Sequence, residues 1–155
     1  MDIYRVALIG HRVINDMRRV ENALDPLIRK LIREKEFVEF YIGRNGDFDM
    51  FAASMIKRAK QEMDYGNSEL ILVLSYHVKD IEYFEAYYDD IILPIDPKKH
   101  FKAAITERNR WMVDHCDLLI AFVESDHGGA YDTVKYAEKK GLPIKNLACN
   151  PSDQD

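Results

Sequence analysis

The chain is poor in the residues that break or staple a fold: 7 glycines, 5 prolines and 2 cysteines in 155 residues, with a single tryptophan. That scarcity excludes a collagen-like or low-complexity chain, and no internal repeat or linker interrupts it. Cys116 and Cys149 lack metal-ligand spacing, and two isolated cysteines suit a reducing cytosol. No run of eighteen apolar residues occurs, so no membrane span is expected. The N-terminus enters a strand without a charged-then-apolar leader, and a cytoplasmic location is the expectation. The 5 histidines form no H-x-x-x-H or H-x-H pair, so no metal site is expected. Ser125 sits in no G-x-S-x-G elbow, and no G-x-G-x-x-G follows the first strand. Neither a catalytic residue nor a cofactor is therefore assigned. A cationic excess is lacking too: 22 Lys and Arg against 27 Asp and Glu give a net charge of −5. Such a balance argues against non-specific nucleic-acid binding, which needs a basic footprint.

What is present is a regular alternation. Tyr4 to Gly10 reads as a strand, and Asp16 is placed to cap a helix with apolar positions Met17, Val20, Leu24, Leu27, Ile28 and Leu31. Pro26 inside that pattern predicts a kink or a break. Phe37 to Ile42 is a second strand. Asp47 or Asp49 would cap the next helix, with Gly66 closing it. Leu70 to Leu74 is a third strand, 75–88 a short helix or a loop, and Ile91 to Pro94 a short fourth strand. A helix from Phe101 to Cys116 precedes the unbroken apolar run Leu118 to Val123, as expected of a strand covered on both faces. A helix from Ala130 to Lys140 and a last strand, Ile144 to Leu147, complete the pattern. The expectation is one α/β domain over 1–147, a mainly parallel sheet with helices on both faces, followed by a tail at 148–155.

In a parallel sheet the strand ends share one edge, and three of them carry ligand-compatible residues. They are Gly10-His11-Arg12, Gly43-Arg44-Asn45-Gly46-Asp47 and Asp126-His127-Gly128-Gly129. Gly128 and Gly129 before a helix start make a candidate phosphate cradle, because helix N-termini present unpaired N–H groups and a positive dipole end. Arg12 and Arg44 are candidates for pairing with phosphate or carboxylate, against the commoner structural use of such arginines. Arg108 and Asn109 can project into the cleft from a helix whose polar start is otherwise read as a solvated face. Trp111 packs inward or forms an interface, while Tyr83, Tyr87 and Tyr88 either stack a base or cover the sheet edge. Trp111 and the tyrosine patch together suggest self-association into a homo-oligomer.

The segments Arg108 to Phe122 (RNRWMVDHCDLLIAF) and Gly128 to Ile144 (GGAYDTVKYAEKKGLPI), with Gly10 to Arg12 and Gly43 to Asp49, closely resemble the YpsA-like branch of the SLOG superfamily. The likeness spans nearly the whole chain, loosely over 75–100. It implies a Rossmann-like fold and a nucleotide or nucleotide-sugar ligand over Gly128 and Gly129, with Thr133 assisting at the helix start. It also implies that Arg108 and Asn109 belong to that site, and that the protein forms dimers or larger assemblies. The hydrolases of this superfamily carry P-G-G-x-G-T-x-x-E with a catalytic glutamate. Here Tyr136 stands at the place of that glutamate, and no proline precedes the Gly pair. The resemblance therefore favours ligand binding or sensing over N-glycoside hydrolysis or deoxyribosyl transfer. An interaction protein with a vestigial pocket is the remaining alternative.

Overall fold

The computed structural model describes residues 1–96 and 98–149. Eleven elements alternate along it: β1 (Ile3–Gly10), α1 (Met17–Glu34), β2 (Phe37–Ile42), α2 (Asp47–Met63), β3 (Ser68–Val73), α3 (Ile81–Tyr87), β4 (Asp90–Ile92), α4 (Phe101–Asp114), β5 (Leu118–Phe122), α5 (Gly129–Lys140) and β6 (Ile144–Asn146). The strands form one six-stranded sheet in the order β4-β3-β2-β1-β5-β6, and every pairing is parallel. It is the α/β, Rossmann-like single domain that the alternation implied. The tail expected at 148–155 lies outside the described residues beyond Cys149.

The sheet divides the core by the two-residue period of its strands. On one face Val6, Leu8, Phe40, Ile42, Leu70, Leu72, Ile120 and Phe122 pack against the apolar stripes of α1 and α2 and against Phe84 and Tyr88. On the other, Ala7, Ile9, Tyr41, Ile71, Val73, Leu119 and Ala121 meet Met112 and Val113 of α4 and Val134 and Ala137 of α5. Burial on both faces is why these strands read as continuous apolar runs.

Several boundaries differ from expectation, each for a local reason. Helix α1 runs through Pro26 unbroken. Pro26 and Asn22, whose carbonyl loses its helical donor, are both exposed, so water can reach that carbonyl. Asp16 does cap α1, accepting from the Arg19 N–H at 3.1 Å. Neither Asp47 nor Asp49 is the N-cap of α2; that position is Gly46. Helix α2 ends at Met63 with Asp64, not Gly66, taking the left-handed conformation (φ 52°) and donating its N–H to Lys60 O at 3.0 Å. The doubtful stretch 75–88 holds α3, whose Phe84 and the adjacent Tyr88 are core residues; Tyr83 is exposed. Covering the sheet edge is thus the main use of that cluster. Trp111 is half-buried, edge-on to Tyr41 at 5.9 Å and stacked on His115 at 4.2 Å.

At the end of β1, Gly10 leaves room for the fully buried ring of Phe48: a Cβ there would lie 2.2 Å from Phe48 Cγ. At Gly129 an added Cβ meets nothing within 4 Å. Gly10→Ala should therefore destabilise the fold by roughly 1–3 kcal/mol, the scale of core overpacking. Gly129→Ala should stay within about 0.5 kcal/mol of the parent, as surface changes do. Urea denaturation of both variants measures the contrast, and equal midpoints would contradict this account of Gly10.

Candidate functional site

The strand order turns back between β1 and β5, and in open parallel sheets the crevice beyond the carboxyl ends at such a point is the place for ligands. A cavity of about 330 Å³ opens there. Its floor and one wall are Ile9, Gly10, His11 and Arg12 at the end of β1, with Asn45 and Asp49 beyond β2. The opposite wall is Ile105, Arg108 and Asn109 of α4, and His127, Gly128, Gly129 and Ala130 close it at the start of α5.

Arg108 is the unusual member. Its side chain is buried, with the residue only 3% exposed, yet it makes no ion pair among the described residues. Its Nη1 donates to the Val73 carbonyl at 2.9 Å, and its Nε donates to Asn109 Oδ1 at 2.9 Å. Its Nη2 donates to no acceptor among the described residues. The planar fork lies against the backbone of Gly43, where a Cβ would come within 2.3 Å of Nη1. Burial lowers the pKa of Arg108 from its ordinary value, and Asp49 opposes that shift. Asp49 answers in kind: desolvation raises its carboxyl above the ordinary 3.8, against the Asn45 N–H at 3.0 Å and the charge of Arg108. Arginine nonetheless keeps its proton at ordinary pH, so the wall of this cavity holds a fixed cation.

The helix starts at this edge differ in what they leave unpaired. At α2, Asp47 N–H donates to Arg12 O at 2.8 Å and Phe48 N–H to His11 O at 3.4 Å, so the β1–α1 loop takes up these donors. Asp47 in turn accepts the Ile14 N–H at 3.0 Å. At α5 the cap is Gly128, which has no side chain to offer, and the first turn bond is Asp132 N–H to Gly128 O at 2.9 Å. The N–H groups of Gly129, Ala130 and Tyr131 find no acceptor among the described residues, which leaves a helix N-terminus open on the cavity. Gly128 sits at φ 99°, a conformation that favours glycine.

Of the residues singled out in the sequence, Gly10, Arg12, Arg108, Asn109, Gly128 and Gly129 line the cavity. The others lie elsewhere. Gly43 backs the Arg108 guanidinium, and Gly46 leaves room for the backbone of Arg12, 2.4 Å from where its Cβ would stand. Arg44 turns away to α3, with its guanidinium 4.4 Å from the Phe84 ring centre and 5.9 Å from that of Tyr83. Asp47 is engaged with Ile14, and the buried Thr133 returns its hydroxyl to Gly129 O at 2.8 Å, within its own helix. His11, Asn45, Asp49, Ile105 and His127 line the cavity without having been singled out. His11, Asn45 and His127 stand inside the strand-end motifs, and Asp49 was read as a helix cap. Ile105 is apolar and carried no signal.

Two further depressions continue from the cavity. One of about 300 Å³ shares Ile105, Asn109 and Gly129 with it and adds Arg110, Lys135, Tyr136 and Lys139. The next, of about 370 Å³, shares Thr106 and Arg110 with the second and adds Lys99 and Lys102. Tyr136, at the place of the hydrolases' glutamate, donates its hydroxyl to Asp114 at 2.8 Å and ties α5 to α4. Among the described residues no group of three or more His, Cys, Asp or Glu could hold a metal ion, and no helix is long and apolar enough to cross a membrane.

No protein-family model matches the chain, and no curated protein does. Solved structures share its fold. DNA processing protein A from Streptococcus pneumoniae superposes with a TM-score of 0.67 at 17% identity, covering 92% of this chain and 49% of that one. A structure of DNA processing protein A from Helicobacter pylori, describing its single-stranded DNA binding mode, gives 0.62 at 16% identity, over 91% of this chain and 63% of that one. The molybdenum cofactor carrier protein of Chlamydomonas reinhardtii gives 0.59 at 14% identity, over 98% and 81%. This chain therefore spans about half to two-thirds of the length of those two DNA processing proteins. At these identities the likenesses show a shared fold.

They also overturn one expectation. The acidic net charge argued against non-specific nucleic-acid binding, yet a protein of the same fold binds single-stranded DNA. The physical reason is that net charge sums a whole surface, whereas a polyanion meets one stretch of it. Lys99, Lys102, Arg110, Lys135 and Lys139 gather along the depressions between α4 and α5, beside the two acids Asp132 and Glu107, in a chain of net charge −5.

The buried carboxyl of Asp49 makes a pH-dependent contribution to stability. Its folded pKa lies above the unfolded 3.8, so the folded state holds the proton longer. Stability should fall as pH rises from the unfolded toward the folded pKa, and stay at the lower level above it. Asp49→Asn keeps the shape and an acceptor for the Asn45 N–H but cannot ionise. Thermal unfolding from about pH 4 to pH 7 should show the variant gaining on the parent as pH rises; a constant difference across that range would contradict the burial cost.

Proposed function

We propose that this chain, as a member of the YpsA-like branch of the SLOG superfamily, binds a nucleotide-derived ligand with its phosphate between Arg108 and the start of α5. The observation that carries the reading is a buried guanidinium with one nitrogen left unpaired, sharing a cavity with the unpaired helix-start N–H groups of Gly129 and Ala130. Charged donors fixed in a partly dry site bind phosphate strongly, since no reorganisation is needed when the anion arrives. Arg12 adds a second cation at the rim, free of ion pairs among the described residues, on a backbone held in place by Gly46 and Asp47. A binding role suits the site better than N-glycoside cleavage. At the place of the hydrolases' glutamate the Tyr136 hydroxyl is tied to Asp114, and the nearby Glu124 is paired with Arg19, so the loop and helix after β5 present neither as a free acid to a leaving base.

A second reading draws on the cation-lined depressions. They lead away from the cavity along α4, and a single-stranded nucleic acid could place one phosphate at Arg108 and the next ones against Arg110, Lys139 and Lys102. The likeness in fold to a DNA processing protein that binds single-stranded DNA supports this reading.

Thermal shift with nucleoside monophosphates tests the first reading, because a ligand at a hundred times its dissociation constant adds about 2.7 kcal/mol of stability. Gly129→Val should remove that stabilisation and leave the fold intact, since the position opens on free space. Arg108→Ala should weaken binding by roughly 1.5–3 kcal/mol, the scale of a hydrogen bond to a charged group. Unchanged affinity in Gly129→Val would end the phosphate-cradle reading.

For the second reading, an Arg110→Ala, Lys139→Ala pair should lower affinity for a single-stranded oligonucleotide and flatten its salt dependence, with no effect on a mononucleotide. Equal affinity for the oligonucleotide in parent and variant would confine binding to the cavity.

A further inference from the structure

Two exposed aromatic rings stand on the Arg108 side of α4, outside the residues that line this cavity. Tyr76 follows β3, the strand whose last carbonyl, Val73 O, receives Arg108 Nη1. Phe101 opens α4. The rings lie 4.9 Å apart between centroids at 41°, and the residues are 40% and 51% exposed. Tyr76 is also near enough to Arg108 to interact with it electrostatically. On α4, Phe101 precedes Ile105 by four residues and Arg108 by seven, so all three share a helix face with the cavity-lining Asn109. Phe101 thus stands about two turns before Arg108 on that face, with Tyr76 against it.

We propose that Tyr76 and Phe101 are the base-recognition platform of this site, on which the nucleobase of a nucleotide stacks while its phosphate sits at Arg108. The inference rests on the phosphate reading above and adds what that reading leaves open, namely which end of the molecule discriminates. A cavity wall that is cationic and an exposed aromatic pair farther along the same helix face match a ligand that is anionic at one end and a flat heterocycle at the other. Other exposed aromatics are differently placed: Tyr83 lies beside the Arg44 guanidinium and lines a separate depression with it. Stacking is tolerant of base identity because every base has a π-face, so the platform selects base-bearing ligands over sugar phosphates without naming one base.

The experiment compares a nucleoside monophosphate with ribose 5-phosphate, by calorimetry, on the full chain. Tyr76→Ala should weaken the nucleotide roughly tenfold or more, the lower end of base-stacking effects, and leave ribose 5-phosphate unchanged. Phe101→Ala should act in the same direction. Tyr76→Trp should hold the nucleotide at least as tightly as the parent and gain an indole emission quenched by the nucleotide but not by ribose 5-phosphate. Both rings are largely solvent-facing, and a melting curve of each variant checks that the fold persists. An equal loss for both ligands, or no loss for either, overturns the platform. If Gly129→Val abolishes binding of both ligands while Tyr76→Ala weakens neither, the phosphate site stands and the platform alone fails. If the parent binds neither ligand, the phosphate reading fails and the platform falls with it.

Discussion

The carboxyl edge of the sheet is built around a cation that the chain has taken out of water. Arg108 is anchored by the last carbonyl of β3, by its neighbour Asn109 and by the bare backbone of Gly43, so it joins α4 to two strands at once. A guanidinium removed from solvent without a bridging carboxylate is unfavourable unless its donors are met. Two are met by protein, and the charge of Asp49 offsets part of the rest. If holding β3 to α4 were the whole task, an apolar side chain of similar volume would serve at no electrostatic cost. The departure from the ordinary rule of the interior falls at the one place where the sheet topology puts a ligand. Local rules are broken most often at such functional places.

Around that cation the loops divide the work. The loops after β1 and β2 bind each other through Asp47 N–H to Arg12 O, Ile14 N–H to Asp47 and the close approach at Gly46, which makes a rigid floor. Their glycines serve protein neighbours: Gly10 accommodates Phe48, and Gly43 accommodates Arg108. The loop after β5 does the opposite. Gly128 and Gly129 face open space, and the helix they begin keeps its first donors free. Preorganisation on two sides and free donors on the third is the arrangement on which the phosphate proposal rests.

That division also explains what could be read from the residues. Strand and helix order, the parallel sheet and the convergence of three strand ends were legible because burial on both faces leaves apolar runs and because crossovers in such sheets keep one hand. Arg108, Asn109 and the Gly pair were legible from position and resemblance. Which glycine serves a ligand and which a neighbouring side chain was not, since Gly10, Gly43 and Gly128 look alike until the atom beside each absent Cβ is known. Arg44 misled for the same reason: an arginine after a strand fits a ligand or an aromatic partner equally well, and that partner, Phe84, lies 40 residues further along the chain. Tyr76 and Phe101 escaped notice because their pairing joins a loop to a helix start across a stretch without periodicity.

Charge shows the same limit of one-dimensional reading from another side. A net charge of −5 is a property of the whole surface, but a ligand meets a field set by the few groups within about 10 Å of it at ordinary salt. Arg12, Arg108 and Asp49 line the cavity, and burial raises the pKa of Asp49 above its ordinary value. The cations that line the depressions between α4 and α5 carry the same sign outward along the helix. Asp132 and Glu107 share those walls, and Lys99 and Lys135 pair with Glu107 and Glu138, so Lys102, Arg110 and Lys139 are the cations there without an ion pair among the described residues. Other acids stand away from this edge: Glu21, Asp25 and Glu62 pair with Arg29 and Arg58 between α1 and α2, on the far side of the sheet. The sign of the total says nothing about the sign at the site, and it is the site that a phosphate would meet.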